Sequence, residues 1–330
     1  VAAGAGWDAS DIGDLTGRVA LVTGANSGVG YATAAALADH GAYVLLGCRD
    51  MHKGSQAVAD LESDHPHAEV GLLELDLADL DSVREAARSF RLANARLDLL
   101  VNNAGVMGSV FARTVDGLER QFATNHFGHF ALTGLLLERL LTTEGSRVVT
   151  VSSGVHRMGH LDEKEWRGER EANRWRTYAN TKLANLLFAY ELDRRLRACG
   201  ARTISVAAHP GYARTNLPVN GPLEGGSRWR ARAARVAAGL GQSPDHGALP
   251  SLYAATAPSV TGGEYFGPGN PGELFGPPVR VRSNRASHDL AKARALWESS
   301  EELTGVTYRF GAGTLTPPPG GAAGTSPSPG

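Results

Sequence analysis

The sequence predicts a single doubly wound α/β domain: a mainly parallel sheet of about seven strands with helices on both faces. Three observations carry this expectation. Short β-branched or leucine-rich runs alternate with longer alanine- and leucine-rich stretches from Gly17 onward. The short runs are continuously apolar, as strands covered on both faces must be. A glycine cluster joins the first run to the first alanine-rich stretch, where a tight turn lets a helix start at the carboxyl edge of a sheet.

In chain order the strands are expected at 19–23, 43–47, 70–75, 97–102, 147–152 and 203–207, with a weaker one near 264–266. The stretches between them are long enough for crossover helices, and the right-handed crossover rule then favours a Rossmann-like arrangement. Residues 1–16 form an N-terminal arm, 17–310 a single domain, and 311–330 a Gly/Pro/Ser/Thr-rich tail expected to be disordered. No internal repeat and no linker divides the domain.

At 330 residues, with 42% hydrophobic and 20% charged residues, the composition is globular. A formal net charge of −1 gives no field that would draw the chain to nucleic acid or an anionic membrane. Only two cysteines occur, Cys48 and Cys199, outside any CxxC or Cys/His cluster. That argues against a structural disulfide or zinc site and for a cytoplasmic setting. The apolar stretch 130–137 is interrupted by Thr133 and Gly134 and ends at Glu138, too short for a membrane span. The first residues lack the pattern of a secretory leader, so a soluble protein is expected.

Gly24, Gly28 and Gly30 close the segment Val19-Ala-Leu-Val-Thr-Gly-Ala-Asn-Ser-Gly-Val-Gly30. In this context glycines serve a tight turn, a close backbone approach and a helix N-terminus aimed at phosphate. After the second strand comes Leu46-Gly-Cys-Arg-Asp50. A carboxylate here would accept bonds from a ribose 2′-hydroxyl, whereas an arginine accommodates a 2′-phosphate. Gly47 and Cys48 stand where the acid is expected and Arg49 follows, which favours NADP(H) while leaving NAD(H) possible. A one-residue slip in register would instead make Asp50 the NAD-type acid. Asp76, after the third strand, is either an adenine contact or the cap of the next helix.

Tyr178-Ala-Asn-Thr-Lys182 puts a phenol and an ammonium on one helix face. A neighbouring positive charge is expected to lower the tyrosine pKa toward the range of a general acid/base. The fifth strand ends in Ser152-Ser153, where open α/β sheets bind ligands. Asn102-Asn-Ala-Gly105 ends the fourth strand, Thr124-Asn125-His126 lies in the following helix, and Pro210-Gly-Tyr-Ala-Arg-Thr215 follows the sixth strand.

In this order, and over about residues 17–305, these motifs resemble the short-chain dehydrogenase/reductase family. The wording of Asn125-His-Phe-Gly-His-Phe130 and Tyr178-Ala-Asn-Thr-Lys-Leu-Ala-Asn-Leu-Leu-Phe188 is most similar to its retinol dehydrogenase/protochlorophyllide reductase-like group. The spacing Thr-Gly-x-x-x-Gly-x-Gly differs from that of the extended branch. The resemblance implies that Tyr178 exchanges a proton with the substrate oxygen, which Ser153 holds, with Ser152 as the alternative. Lys182 would bind the nicotinamide ribose and tune Tyr178, and Asn125 would support a water-mediated proton path to Lys182. The cofactor site would comprise Gly24, Asn26, Ser27, Gly28, Val29 and Gly30, then Arg49, Asp76 and Leu77. Asn102, Asn103, Ala104 and Gly105 would line its floor, joined by Tyr178, Lys182, Pro210 and Gly211, while Thr215 would fix the carboxamide.

The expected activity is NAD(P)(H)-dependent interconversion of an alcohol and a carbonyl on a small or medium apolar molecule, with no metal. Rival readings are reduction of a carbon–carbon double bond on the same scaffold and a non-catalytic dinucleotide sensor. The segment 155–177 is long and highly charged, and is expected to form a largely solvated flap at the substrate mouth, with a lid near 220–240. Arg228, Arg232 and Arg235 share one helical face, expected to be a solvated lid surface. Trp166 and Trp175 either contact an apolar substrate or anchor the insertion. His126, His129, His156, His160 and His209 are scattered without a carboxylate at ligand spacing. By resemblance, helices at about 116–141 and 176–199 would pair between subunits of a dimer or tetramer.

Overall fold

The computed structural model describes residues 6–212 and 242–311. Its strands are β1 (Val19–Thr23), β2 (Tyr43–Cys48), β3 (Val70–Glu74), β4 (Leu99–Asn102), β5 (Arg147–Val151), β6 (Ile204–Ala208), β7 (Tyr265–Pro268) and β8 (Pro278–Arg280). They form one sheet in the order β3-β2-β1-β4-β5-β6-β7-β8. All neighbours are parallel except β8, which runs antiparallel to β7. The sheet therefore has eight strands where about seven were expected. β8 spans three residues and starts at a proline, so it carries no periodicity a sequence reading could detect.

The helices are α1 (Gly28–Asp39), α2 (Met51–Asp64), α3 (Leu80–Ala93), α4 (Arg120–Phe122), α5 (Gly128–Thr142), α6 (Glu163–Trp166), α7 (Arg174–Ala198), α8 (Pro244–Thr256) and α9 (Leu290–Thr304). Both faces of the sheet are covered, which is why its strands are predominantly apolar. On one face Val22, Leu46 and Val101 pack against α1, α2 and α8 through Leu37, Leu61 and Leu252. On the other, Leu21, Leu100 and Val148 pack against α3, α5, α7 and α9 through Phe90, Phe130, Leu183 and Trp297. The N-terminal arm belongs to the first of these cores: Ile12 and Leu15 are buried, and Trp7 meets Tyr253 edge-on at 5.1 Å.

The helix expected at 116–141 is not uniform. Between α4 and α5 a π-turn, Ala123–Phe127, widens the backbone around Asn125. Gly128 lies directly beyond it, and a Cβ there would clash with the Leu77 carbonyl. The π-turn is thus pressed onto the loop that follows β3.

Candidate active site

The carboxyl ends of β1, β4, β5 and β6 open into a cleft of about 970 Å³. It lies where the strand order reverses between β1 and β4, the place at which open α/β sheets bind ligands.

The floor begins at the glycine turn. Gly24 and Gly28 have φ of 66° and 59°, left-handed backbone that side chains resist. A Cβ on Gly30 would clash with the Gly24 carbonyl and sit 2.5 Å from Asn103 Nδ2. The third glycine is what lets α1 rest on both turns. Ser27 precedes α1 without capping it. By contrast, Asp50, Asp79, Asn173, Ser243 and Asp289 each cap the helix they precede. The uncapped start of α1, with Asn26, Ser27, Gly28 and Val29, lines the cleft. Free amides at the positive end of a helix dipole form a donor set that fits the pyrophosphate of a dinucleotide.

Arg49 and Asp50 both border the cleft. β2 extends through Cys48, so Arg49 is the first residue beyond it. The Asp50 carboxylate accepts from Lys53 N at 3.1 Å and pairs with Lys53 Nζ at 3.2 Å. Among the described residues no carboxylate pairs with Arg49. Asp76 and Leu77 also line the cleft. Asp76 accepts from Ala78 N at 2.9 Å, while the cap of α3 is Asp79. This removes the capping alternative for Asp76.

Asn103, Ala104 and Gly105 continue the floor. Thr23 fixes them: its Oγ1 accepts from Asn103 N at 2.9 Å and Ala104 N at 3.0 Å, and its carbonyl accepts from Asn103 Nδ2 at 2.8 Å. Asn102 is buried beneath and donates to Thr133 Oγ1. A Cβ on Gly105 would stand 3.3 Å from Asn125 Oδ1 and 3.4 Å from Lys182 Nζ. The bare backbone leaves both groups uncrowded.

Tyr178 and Lys182 lie one turn apart on α7, with Lys182 Nζ 5.7 Å from the Tyr178 ring centroid. Lys182 Nζ donates to the Val151 carbonyl at 3.2 Å. Burial pushes the Lys182 ammonium down to about 8. Burial likewise pushes the Tyr178 phenol up to about 12, opposed by a hydrogen bond with Ser153. The expected lowering of the tyrosine by its lysine is therefore corrected: burial, which disfavours the charged form of each group, sets the direction of both shifts.

The two serines separate. Ser152 Oγ is buried and donates to the Lys182 carbonyl at 2.8 Å. Ser153 lines the cleft beside Tyr178 and is the residue that fits substrate contact. His156 braces it, its Nδ1 donating to the Ser153 carbonyl at 2.7 Å while its Nε2 accepts from Asn284 N at 3.3 Å. Burial pushes His156 down to about 4, so the ring is neutral. Asn125 does not line the cleft. Its Oδ1 accepts from Val106 N at 2.7 Å, and its Nδ2 donates to Val106 O and Thr181 Oγ1, each at 2.9 Å. Its side chain pins the backbone beside Gly105.

Pro210 and Gly211 border the cleft. Gly211 N donates to His209 Nδ1, and His209 Nε2 donates to Glu273, which also binds Arg157 at 2.7 Å. Thr215, the lid at 220–240 and Arg228, Arg232 and Arg235 lie outside the described residues.

The insertion 155–177 keeps most of its charged side chains exposed, as its composition suggested, but it is tied down at a few buried points. Trp166 and Glu165 are buried. Glu165 binds Arg170 at 2.7 Å, Arg176, and Asn180 Nδ2 at 2.9 Å, while Arg167 reaches Glu302 on α9 at 2.8 Å. The charges neutralise one another and fasten the insertion to α7 and α9. Trp166 anchors it. Trp175 is part-exposed, one turn before Tyr178, with its ring 3.0 Å from where a Gly108 Cβ would lie.

Sequence reasoning missed Thr23, His156 and Gln121. Thr23 was legible only as a member of the glycine motif. Gln121 links Gly108 N to the Arg174 carbonyl, a junction of segments far apart in the chain.

A family model described as short chain dehydrogenase matches residues 18–221. The chain is 38% identical to mouse retinol dehydrogenase 14, covering 90% of this chain and 88% of that protein. It is 38% identical to human retinol dehydrogenase 13, covering 88% and 86%. A crystal structure of an uncharacterised protein from Mycobacterium paratuberculosis is 39% identical, with a TM-score of 0.76 over 92% of this chain and 99% of that one.

Proposed function

The chain belongs to the short-chain dehydrogenase family, in its retinol dehydrogenase-like group, and is an NAD(P)-dependent oxidoreductase acting on CH–OH; we propose that it interconverts an apolar alcohol and its carbonyl, prefers NADP(H), and uses Tyr178 as general acid/base. The observation that carries this is the convergence of Ser153, Tyr178 and Lys182 on one cleft, beside the uncapped start of α1.

When bound, the cofactor supplies or accepts the hydride. Ser153 holds the substrate oxygen beside the Tyr178 hydroxyl, which gives that oxygen its proton in reduction and takes it back in oxidation. With a phenol pushed to about 12, Tyr178 is protonated at neutral pH and ready to donate. Lys182 places a cation next to the phenolate that donation leaves behind, in a site where burial strengthens the attraction. Asn125 holds the Val106 backbone beside Gly105, whose missing side chain leaves Asn125 and Lys182 uncrowded, which supports a proton path to the surface. Arg49, just beyond β2 and without a carboxylate partner among the described residues, supports the NADP(H) preference, because the adjacent Asp50 is tied to Lys53.

The substrate class rests on the relatives' names, which point to retinol, and on Met107 and Val155, which line the cleft with Ser153 and Tyr178. Free Cys48 and Cys199 support a cytoplasmic setting, and no described helix is long and apolar enough to cross a membrane. The subunit pairing implied by resemblance would need flanks of α5 and α7 that this chain covers itself. Trp297 of α9 stacks on Phe188, and Tyr308 donates to the Phe130 carbonyl at 2.7 Å. That packing supports a monomer.

The test is cofactor oxidation by the purified chain, NADPH against NADH, with retinal, shorter aldehydes, ketones and enones. Carbonyl turnover with NADPH is the expected result. Turnover confined to enones would move the reading to double-bond reduction. Cofactor binding without turnover on any substrate would point to a sensor.

A further inference from the structure

The π-turn that carries Asn125 and the floor turn that carries Asn103 and Ala104 come from different parts of the chain, and one buried side chain links them, touching the first directly and the second through Thr23. His129 stands in the first turn of α5, 1% exposed. Its Nε2 is 2.8 Å from Thr23 Oγ1 and its Nδ1 is 3.1 Å from the Asn125 carbonyl.

Two independent arguments set the direction of these bonds. A carbonyl oxygen only accepts, so the Nδ1 facing Asn125 must carry the proton. From the other side, Thr23 Oγ1 already accepts from Asn103 N and Ala104 N, which fills its two lone pairs. Its one proton then goes to the His129 Nε2 at 2.8 Å rather than to the Val101 carbonyl at 3.4 Å. Burial pushes the ring down to about 3, so it holds one proton and the two arguments agree. The order is Asn103 and Ala104 amides to Thr23, Thr23 hydroxyl to His129, His129 to the Asn125 carbonyl.

We propose that His129 is a positioning residue that sets the cofactor floor and the Asn125 turn in one register, through a neutral ring with a fixed tautomer. It touches neither cofactor nor substrate. Its Nε2 side holds Thr23 in the orientation that accepts both floor amides, and its Nδ1 side holds the π-turn from which Asn125 pins Val106. This rests on the oxidoreductase reading above.

The ring's two nitrogens can be tested apart. An asparagine at 129 places its amide near the Nδ1 position and keeps a donor for Asn125, but does not reach Thr23. A glutamine reaches the Nε2 position and keeps an acceptor for Thr23, but leaves the Asn125 carbonyl without its donor. His129→Asn should weaken NADPH binding by about ten-fold with kcat within about three-fold of wild type. His129→Gln should do the reverse, with NADPH affinity within about three-fold and kcat lowered about ten-fold. Dissociation constants come from fluorescence titration of the folded proteins well below their melting temperatures, and kcat from the best carbonyl of the panel. A residue that merely stabilises the fold would lower both melting temperatures and leave both constants unchanged, and that result would overturn the proposal. So would equal losses of affinity and kcat in the two variants. If one variant does not fold, the surviving one still must lose only its own constant. A wild-type chain that bound no NADP(H) would sink the functional reading instead, which keeps the two failures distinct.

Discussion

Lys182 is a buried cation without a carboxylate partner among the described residues, so replacing it with methionine should stabilise the cofactor-free protein while removing its activity. Among those residues its Nζ has one partner, the Val151 carbonyl, which also accepts from Asn185 Nδ2 at 3.0 Å. Loss of the ammonium therefore orphans no acceptor. Holding its pKa at about 8 rather than 10.5 corresponds to roughly 3 kcal/mol of disfavoured charge. One hydrogen bond to the charged group offsets about 1–2 kcal/mol of that. The expected gain for Lys182→Met at pH 7 is about 2 kcal/mol, with methionine filling a similar volume. The folded pKa lies below the unfolded one, so the unfolded chain binds more protons between pH 8 and 10.5. Wild-type stability relative to the variant then rises with pH through that window. The advantage of the variant is full below pH 8 and gone above 10.5. Urea unfolding of both proteins at pH 7 and pH 9.5, without cofactor, measures it, and turnover should fall at least about a hundred-fold. A variant less stable than wild type at pH 7, or an advantage that does not shrink at pH 9.5, would refute the reasoning.

Tyr178→Phe should lower kcat by about 10²–10⁴-fold with cofactor affinity nearly unchanged, and a variant keeping more than about a tenth of wild-type kcat would remove Tyr178 from proton transfer. Arg49→Ala should weaken NADPH about ten- to a hundred-fold and NADH far less, as titration of each cofactor reports; equal losses would redirect attention to Asp50. Glu165→Ala should cost about 2 kcal/mol of stability and speed amide exchange across 161–170, because it frees Arg176 and the Asn180 amide and leaves Arg170 only Asp162, whereas unchanged exchange would mean the insertion is held by Trp166 and the Arg167–Glu302 pair. Light scattering should give a mass near 34.7 kDa, and a stable dimer would show that the covering of α5 and α7 by α9 leaves another face for pairing.

Much of the fold and half of the site follow from local pattern. The apolar runs that became β1 to β7 announce a doubly covered parallel sheet because most residues in its central strands are buried, whichever way they point. The glycine turn is legible because left-handed backbone and contact closer than a Cβ allows both demand glycine. Tyr178 and Lys182 share a helix face by spacing alone. β8 escaped because a three-residue edge strand is defined by its partner rather than by its composition.

The remainder was decided by contacts between distant segments. Sequence prefers Ser153 to the adjacent Ser152 only by resemblance; the two part physically when α7 lays its Lys182 carbonyl over Ser152 and Tyr178 beside Ser153. Asp76 loses the capping role to Asp79, and Asp50 is taken by Lys53, once backbone geometry sets which amides are within reach. The charges of 155–177 suggest solvation until Glu165 and Arg167 find partners on α7 and α9. The sign of the tyrosine shift reversed for the same reason. Proximity of two residues in a helix can be counted along the chain, but how far the rest of the molecule removes them from water is a property of tertiary packing, and here burial sets the direction of both shifts.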